Sequence, residues 1–331
     1  MKAPLVSVVI VSHSRPKELR QVLMSLRSQT LSEIEIIVVD NKSDASPEIE
    51  MVVNEFNGCR LLQNYENAGF ARAMNQGMHI AAGEYLYLSV DDVVLDRECL
   101  ERFLNFKRMH SEVGLLSGVL YYAREPQTIE CAGGKLNLGQ FYQLTLNHFA
   151  ERDIGQMCEP FEVTFILGGI IFAQRKFLMD IGGFREDFFM YFEDSELSIR
   201  VKRLGYSLMV LPQAKLYDLI APNNFQASFV EPQKVANLLA VYLLHAQAWL
   251  LPIVYFRFLF SHCRDILKTG GVKSALYKKA WGTFLYAIPR LISDRWRFNR
   301  LIEKMSFYED AKINTLPISA QNHLTLGKTN L

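Results

Sequence analysis

Apolar runs alternate with helical patterns through the first hundred residues of the chain. The apolar run at 5–12 is followed by leucines and valines at positions i, i+3, i+4 and i+7, which is the spacing of one buried helix face. Further strand-like runs occupy 33–40, 60–64 and 84–90, and a helix is predicted at 68–82. Strands separated by helices predict a mostly parallel sheet covered on both faces, and therefore an α/β fold.

The pattern changes after residue 110. The stretches 113–122, 161–173 and 206–217 are strand-like, but helices no longer alternate with them regularly. The segment from about 123 to 160 is polar and contains glycines, so it is predicted to be an insertion or a long loop, a kind of segment that is often functional.

The chain divides into two parts by pattern and by charge. We predict an α/β domain at 1–225 and a C-terminal helical region at 226–331. Residues 1–230 carry 22 basic and 29 acidic side chains, whereas residues 231–331 carry 14 basic and 6 acidic ones. A basic tail on a slightly acidic body suggests an anionic surface as the partner of the tail.

The cysteines and the N-terminus indicate the cellular compartment. The five cysteines are scattered, odd in number and without a C-x-x-C pair, which argues against a disulfide framework and against a zinc site. The first apolar run is β-branched and is interrupted by Ser7, so it is interpreted as a strand and not as a signal peptide. These features favour a reducing, cytoplasmic location.

Two of the predicted strands end on carboxylates. The second strand ends on Asp40, and the strand at 84–90 runs directly into Asp91 and Asp92. Such residues suit a solvated turn, or a metal or phosphate site at the carboxyl edge of the sheet. A divalent cation that bridges a diphosphate takes hard oxygen ligands, often only one or two of them from the protein. No G-x-G-x-x-G follows the first strand, which removes the main support for a dinucleotide-binding dehydrogenase.

A second acidic pair, Glu193 and Asp194, precedes a predicted helix that stops at Gly205. An Asp at or near the N-cap is commonly a capping residue. A carboxylate held ionised at a helix start also suits a general base for a sugar hydroxyl. Upstream, Gly168 and Gly169 allow either a tight turn or a close approach of the backbone to a ligand.

Together these motifs resemble a known family. The stretches "VSVVIVSHSRP", "EIIVVDNKSD", "NYENAGFARAMNQGM", "YLYLSVDD", "GGIIFAQRKFLMDIGGFREDFFMYFEDSELSIRVKRLGY" and "LPQAKLYD" occur in the family's order over roughly residues 4 to 220. The chain resembles the family 2 inverting glycosyltransferases with the A-type, Rossmann-like fold, and most of all the bacterial rhamnosyl- and galactofuranosyltransferase-like members.

The resemblance implies a nucleotide-sugar donor, UDP- or dTDP-linked, and Mg²⁺ or Mn²⁺ as cofactor. It implies Asp194 as the catalytic base, with Glu193 as the next candidate. It implies metal ligation by Asp91, Asp92 and Asp218. The residues that it implies for nucleotide-sugar binding are Ser12, His13, Arg15, Asp40, Asn67, Gly69, Phe70, Asn75, Ser89, Asp91, Gly168, Gly169 and Arg200.

The sequence departs from the family pattern in three places. Ser89 stands at the first position of the D-x-D motif, and Asp218 stands where many members carry a His. The Q-x-x-R-W signature of processive synthases is missing, which favours a single-addition transferase. A non-catalytic subunit with the same fold, supported by Ser89, and a sugar nucleotidyltransferase are the alternatives.

The tail offers several interpretations. The stretch 237–260 is apolar but is interrupted by His245, Gln247, Pro252 and Arg257, so it suits a membrane span poorly. The basic, aromatic-rich sequence after it is typical of helices that lie on an anionic membrane surface, although a helical cap packed on the domain would look similar. We expect a protein peripheral on the inner face of the cytoplasmic membrane, with a glycan or lipid-linked glycan acceptor. No nucleic-acid recognition motif accompanies the charge, and an oligomer is left open.

Overall fold

The computed structural model describes residues 3–139, 142–220 and 227–314. Numbered in chain order, its strands are β1 (Val6–Ser12), β2 (Ile34–Asp40), β3 (Cys59–Gln63), β4 (Tyr85–Val90), β5 (Val93–Leu95), β6 (Val113–Tyr122), β7 (Glu125–Cys131), β8 (Gly134–Asn137), β9 (Gln143–Leu146), β10 (Phe161–Val163), β11 (Ile170–Gln174) and β12 (Ser207–Asp218). Its helices are α1 (Pro16–Arg27), α2 (Ser46–Asn54), α3 (Phe70–Ile80), α4 (Cys99–Met109), α5 (Arg175–Asp180), α6 (Glu193–Arg203), α7 (Ala227–His245), α8 (Leu251–Lys268) and α9 (Ser274–Asn314).

A 10-stranded sheet forms the centre of the molecule, in the order β10-β12-β6-β11-β4-β1-β2-β3, with β5 paired to β12 and β7 to β6. The strands β4, β1, β2 and β3 run parallel, and β6 runs parallel to β12. The remaining pairs are antiparallel. The strand order reverses between β1 and β4, and open α/β sheets bind their ligands at such a switch point. The predicted α/β fold is confirmed.

Helices cover both faces of this sheet because the side chains of its strands alternate between them. Val6, Val8 and Ile10 of β1 pack with α1, α2 and α4 on one face. Val9 and Val11 of the same strand pack with α3, α5 and α6 on the other face. Burial of each such side chain contributes roughly 1.5–3 kcal/mol, so β1 is held firmly between the two cores.

The second half of the sequence is more ordered than its pattern predicts. The segment 123–160, predicted as an insertion or a long loop, contains β7 and the two-stranded β8–β9 sheet. The apolar stretch 161–173 is not one strand, because Gly168 and Gly169 lie in a turn between β10 and β11. These two strands pair with different partners, β12 and β4.

The C-terminal helices pack on the α/β part through a third core. Leu239 and Val241 of α7 and Phe284 and Leu291 of α9 are buried together with Phe188, which precedes α6. Phe284, which belongs to the aromatic-rich sequence of the tail, is therefore part of this core. The predicted domain boundary at 225–226 lies outside the described residues, as does the chain after 314.

A buried polar contact also links the two parts. The Glu196 carboxylate of α6 accepts hydrogen bonds from Arg200 Nη2 (2.7 Å) and from His245 Nε2 of α7 (3.0 Å). Arg203 extends the link by donating to Asn299 of α9 at 2.8 Å. The side chains of Glu196 and His245 are both 2% exposed. Water cannot hydrate them, so each relies on the other for its hydrogen bond.

The apolar stretch 237–260 is divided between α7 and α8, with a short 3-10 turn at Ala248–Leu250 between them. Within the described part of the chain, every helix is too short or too polar to cross a membrane.

Candidate active site

The carboxylates Asp91 and Asp92 lie at the switch point of the sheet, directly after β4. Asp91 Oδ2 accepts hydrogen bonds from Ser12 Oγ and from the His13 N–H, both at 2.8 Å. The Arg15 guanidinium lies 3.5 Å from Asp91 Oδ1 and also contacts Asp92. The end of β1 therefore positions the first carboxylate, and the following turn supplies the counterion.

Both carboxylates are buried, and this affects their protonation. Burial and the neighbouring Asp92 charge raise the pKa of Asp91 to about 7, against the lowering effects of the His13 N–H, Arg15 and Ser12. Burial also raises the pKa of Asp92, although Arg15 opposes it. Two buried carboxylates that share one arginine are a favourable place for a further cation, because a bound cation favours the charged form of both.

Asp40 ends β2, on the other side of β1 from this pair, and is 1% exposed. Neither oxygen of its carboxylate has a hydrogen-bond partner among the described residues. Next to it, Asn41 donates to Asn67 Oδ1 (2.9 Å) and accepts the Ala68 N–H (3.0 Å). A buried carboxylate without a donor is costly, so this position calls for a donor from a ligand.

The start of α3 closes one side of the site. The helix begins at Phe70 and not at the predicted Ala68, and Gly69 is its N-cap. Gly69 has a φ of +81°, and a Cβ there would lie 2.3 Å from the carbonyl oxygen of Phe189. Asn67 does not cap the helix directly, since its Oδ1 accepts the Gly69 N–H at 3.0 Å.

The glycine pair joins the carboxylates to the second acidic pair. A Cβ at Gly169 would lie 3.1 Å from the side chain of Val90, which precedes Asp91. A Cβ at Gly168 would lie 3.3 Å from Asp194 Cβ. The glycine pair therefore lies between the end of β4 and Asp194, with Gly169 against Val90 and Gly168 against Asp194.

Asp194 lies in the first turn of α6. Phe192 is the N-cap residue, and the Asp194 carboxylate accepts the Ser195 N–H at 2.7 Å. Burial raises the pKa of Asp194 despite this bond and a second one from the Gly168 N–H. Burial and the charge of Asp194 also raise the pKa of Glu193. The two carboxyl groups titrate as a pair, with one of them readily protonated near neutral pH.

The turn before α6 is strained and is held from the C-terminal region. Tyr191 and Phe192 have φ values of 70° and 68°, which non-glycine residues rarely adopt. The Asn237 amide of α7 donates to the carbonyl oxygens of Met190 (3.1 Å) and Tyr191 (2.9 Å). Strain of this kind persists only when the surroundings impose it, so α7 helps to fix the position of Asp194.

Three residues predicted to bind the nucleotide sugar have hydrogen-bond partners within the protein. Ser89 is fully buried, and its Oγ lies 3.3 Å from the Val90 carbonyl oxygen. Asn75 bonds both backbone groups of Phe184. The guanidinium of Arg200 bonds Glu196 and the carbonyl oxygens at 181 and 183. These contacts hold all three side chains in the packing around the site, and their role in nucleotide-sugar binding stays a prediction.

The predicted three-carboxylate metal set does not converge. Asp218 shares a hydrogen bond with Glu130 of β7, and burial raises the pKa of both groups. Among the described residues, no group of three or more His, Cys, Asp and Glu side chains is arranged to hold a metal. Asp91 and Asp92 remain, and two carboxylates fit a cation whose other ligands are phosphate oxygens and water.

Sequence reasoning missed four residues around the site. These are Asn41, Glu130, Tyr142 and Asn237. The alternation of polar and apolar residues in "TIEC" could have revealed Glu130, since its neighbours Ile129 and Cys131 are buried. The other three act through contacts distant in sequence, and no local pattern marks them.

A mostly parallel sheet covered by helices on both faces, with carboxylates at its switch point, is the architecture of the A-type glycosyltransferase fold. The family model "Glycosyl transferase family 2" matches residues 7–181. The chain belongs to this family and is a glycosyltransferase.

Curated relatives agree with this assignment. The chain is 26% identical over 231 residues to the N-acetylglucosaminyl-diphospho-decaprenol L-rhamnosyltransferase of Mycobacterium tuberculosis, a match that covers 63% of this chain and 74% of the relative. Other curated glycosyltransferases match over shorter stretches, which span 29% and 33% of their own length.

Solved structures share the fold. GalNAc-T7 with UDP, GalNAc and Mn²⁺ has a TM-score of 0.60 at 15% identity, covering 73% of this chain and 49% of its own. Residues 1–349 of S. aureus TarS have a TM-score of 0.55 at 18% identity, covering 98% of this chain and 93% of their own. The second match extends through the C-terminal helices.

Proposed function

We propose that the protein is a metal-dependent inverting glycosyltransferase that moves a sugar from a UDP- or dTDP-sugar to a lipid-linked glycan acceptor in bacterial surface-polysaccharide assembly. The observation that carries the proposal is the convergence of Asp40 and Asp91 at the switch point, with Asp194 facing them across the glycine pair. The donor and the acceptor follow the substrates named for the structural neighbour and the rhamnosyltransferase.

Each residue has a role in this proposal. The Asp40 carboxylate, which has no hydrogen-bond partner among the described residues, accepts the imide N–H of uracil or thymine. Asp91 and Asp92 would hold Mg²⁺ or Mn²⁺, which would supply positive charge to offset the negative charge of the diphosphate leaving group. Asp194 takes the proton of the acceptor hydroxyl as that oxygen attacks the anomeric carbon. The raised pKa of Asp194 makes its ionised form a stronger base than an exposed aspartate.

Replacement of Asp91 by alanine tests the metal site. In the wild type, Mn²⁺ should increase the affinity for UDP, and we expect Asp91→Ala to reduce this increase at least about tenfold. Loss of a residue that merely hydrogen-bonds a metal ligand commonly costs about 10–100-fold in metal affinity, and Asp91 is proposed to be a ligand itself. Calorimetric titration with UDP, in Mn²⁺ and in a chelator, measures this increase.

Asp180→Ala is the matched control, since Asp180 is 59% exposed on α5. An unchanged Mn²⁺ effect in Asp91→Ala would place the metal elsewhere. Two assays of the wild-type protein separate the alternatives. Release of UDP from a UDP-sugar fits a transferase, whereas release of pyrophosphate from UTP in the presence of a sugar 1-phosphate fits a nucleotidyltransferase. Absence of donor hydrolysis, with or without donor binding, fits a non-catalytic subunit that binds a nucleotide sugar or a partner.

We also infer that the C-terminal helices lie on an anionic membrane surface. An exposed apolar stripe runs from the 3-10 turn along α8 with spacings of three, four and seven residues: Trp249, Ile253, Phe256, Phe260 and Leu267. Leu285, Ile292 and Trp296 form a similar stripe on α9. Basic residues such as Arg264 and Lys268 lie beside the first stripe, as in helices that bind the membrane interface.

Replacement of Leu267 by glutamate tests the membrane surface. We expect partitioning to phosphatidylglycerol vesicles to fall about 10–100-fold, because burial of one large aliphatic side chain is worth roughly 1.5–3 kcal/mol. Vesicle sedimentation at low and high salt measures it. Ile154→Glu is the control, because Ile154 and Leu267 are both 81% exposed. Equal partitioning of the wild type to neutral and anionic vesicles would contradict the inference, and a dimer lost in Leu267→Glu would assign the stripe to a second copy.

A further inference from the structure

A groove between α7 and α8 lies next to the candidate active site. It has a volume of about 510 Å³. Its floor is apolar, formed by Leu238 of α7 and by Val254 and Phe258 of α8. A continuous apolar floor of this size suits a hydrocarbon chain better than a sugar, which would need hydrogen-bond partners throughout.

The rim of the groove is basic. Arg257, Ser261 and Arg264 recur at i, i+4 and i+7 of α8, so they lie on one side of the helix above the apolar floor. Guanidinium groups match phosphate through paired, charge-assisted hydrogen bonds. An apolar floor with two arginines at its edge is complementary to a hydrocarbon chain that ends in a phosphate.

One end of the groove leads to the catalytic carboxylate. Tyr142 lines the groove, and its hydroxyl lies 2.8 Å from Ser195 Oγ. The Ser195 N–H donates to Asp194 Oδ1 at 2.7 Å. Tyr242 of α7 packs edge-on against Phe258 of the groove floor, with ring centroids 5.9 Å apart, and the Arg257 charge is near enough to oppose the rise in the pKa of Tyr242 that burial causes.

The groove also adjoins the stripe proposed to contact the membrane. Phe256 and Phe260 belong to both, and they are 70% and 63% exposed. A lipid that leaves the bilayer beside α8 would therefore reach the groove without crossing solvent.

We propose that this groove binds the prenyl chain of a lipid-phosphate-linked acceptor, with its phosphate against Arg257 and its sugar directed past Tyr142 to Asp194. This inference rests on the proposed function and adds the position of the acceptor lipid. In this arrangement α7 and α8 bind the lipid and the phosphate of the acceptor, and the α/β part binds its sugar.

The test compares two tryptophan variants of the full chain. Ser261→Trp fills the groove from the exposed side of α8 without removing a core side chain, and Ser32→Trp makes the same change at an exposed serine in the loop before β2. We expect Ser261→Trp to bind farnesyl phosphate at least about tenfold more weakly than the wild type, and Ser32→Trp to bind it normally. Equal affinities of the two variants would overturn the proposal.

The phosphate contact has its own test. Arg257→Gln should weaken farnesyl phosphate binding about 10–100-fold, the range expected for a charge-assisted hydrogen bond, and should leave farnesol binding unchanged. If farnesol binds the wild type as tightly as farnesyl phosphate does, the assignment of the phosphate to Arg257 is wrong. If phosphatidylglycerol displaces the probe as well as unlabelled farnesyl phosphate does, the groove is a general lipid site and the proposal fails.

UDP binding in Mn²⁺, measured on the same preparations, separates this inference from the proposed function. Normal UDP binding with no farnesyl phosphate binding refutes the groove alone. If Ser261→Trp weakens farnesyl phosphate binding but the wild type does not bind UDP, the proposed donor is wrong and the lipid site in the groove is supported.

Discussion

Replacement of Asp194 by asparagine should lower the turnover number for sugar transfer about 10²–10⁴-fold, the usual contribution of general-base catalysis. A base contributes mainly in the transition state, so the donor KM should change little. Asparagine has the same shape and retains an oxygen that can accept the Ser195 and Gly168 N–H groups. The helix should therefore survive at a cost of about 1 kcal/mol or less.

Steady-state kinetics and chemical denaturation of the same preparation distinguish a base from a structural residue. Asp180→Asn, at an exposed position of α5, controls for the substitution itself. If Asp194 serves only the first turn of α6, the free energy of unfolding changes and the turnover per folded molecule does not. Near-normal turnover in a stably folded Asp194→Asn protein would move the base to Glu193.

The pH dependence of the wild-type enzyme follows from the same geometry. Burial raises the pKa of Asp194 to about 6, and only the ionised carboxylate accepts a proton. The transfer rate should therefore rise as pH increases through about 6. This limb belongs to the Glu193–Asp194 pair, because their titrations interact.

Residues next to the strand ends of the first half could be predicted from the sequence. Each apolar run there is a strand buried on both faces, and a parallel sheet brings the following residues to one edge. This places Ser12, Asp40 and Asp91 together without knowledge of the rest of the fold. The pattern that identifies each strand lies within the strand itself, so hydrophobic periodicity is sufficient to predict where these residues lie.

The contacts that the sequence could not reveal join side chains to partners that are distant in sequence. Asn75 bonds Phe184, which is 109 residues away. Arg200 lies on the predicted helix, but its partners include the carbonyl oxygens of the turn after α5. A charge on a helix looks the same in the sequence whether it faces a ligand or neutralises a buried carboxylate.

The strands within the segment 123–160 could not be predicted, for a different reason. β7 begins with three exposed residues, and β8 and β9 are short and only half-buried. Such strands lack the alternation that identifies a strand, because one-sided burial of so few residues gives a weak pattern. Their stability comes from pairing with β6 and with each other.

The contact between α6 and α7 should have the largest effect on stability. Burial alone would raise the pKa of Glu196, but Arg200 and His245 outweigh burial and hold the pKa well below its usual range. Removal of one partner of a buried ion pair costs about 3–5 kcal/mol, because the other charge is left uncompensated. We therefore expect Glu196→Gln to lower the free energy of unfolding by about 3–5 kcal/mol, measured by urea denaturation at pH 7.

Glu98→Gln provides a matched control. Glu98 pairs with Arg102 at the same i, i+4 spacing as Glu196 and Arg200, but it is the exposed N-cap residue of α4, with a side chain that is 54% exposed. Exposed pairs of this kind contribute about 0.3–0.5 kcal/mol, so Glu98→Gln should change stability by no more than that. A similar effect of the two substitutions would show that the buried contact is not what joins α6 to α7.

The pH dependence of this difference has a definite sign. The pKa of Glu196 is lower in the folded state than in the unfolded state, so its contribution is fully present above the ordinary Glu pKa of about 4.3 and is lost as pH falls below it. Wild type and Glu196→Gln should therefore differ most at neutral pH and converge in acid. Because α6 carries Asp194 in its first turn, a loosened α6–α7 contact should also lower transfer activity before the protein unfolds. A stability gap that widened in acid would mean that Glu196 is protonated in the native state, contrary to its ion pair with Arg200.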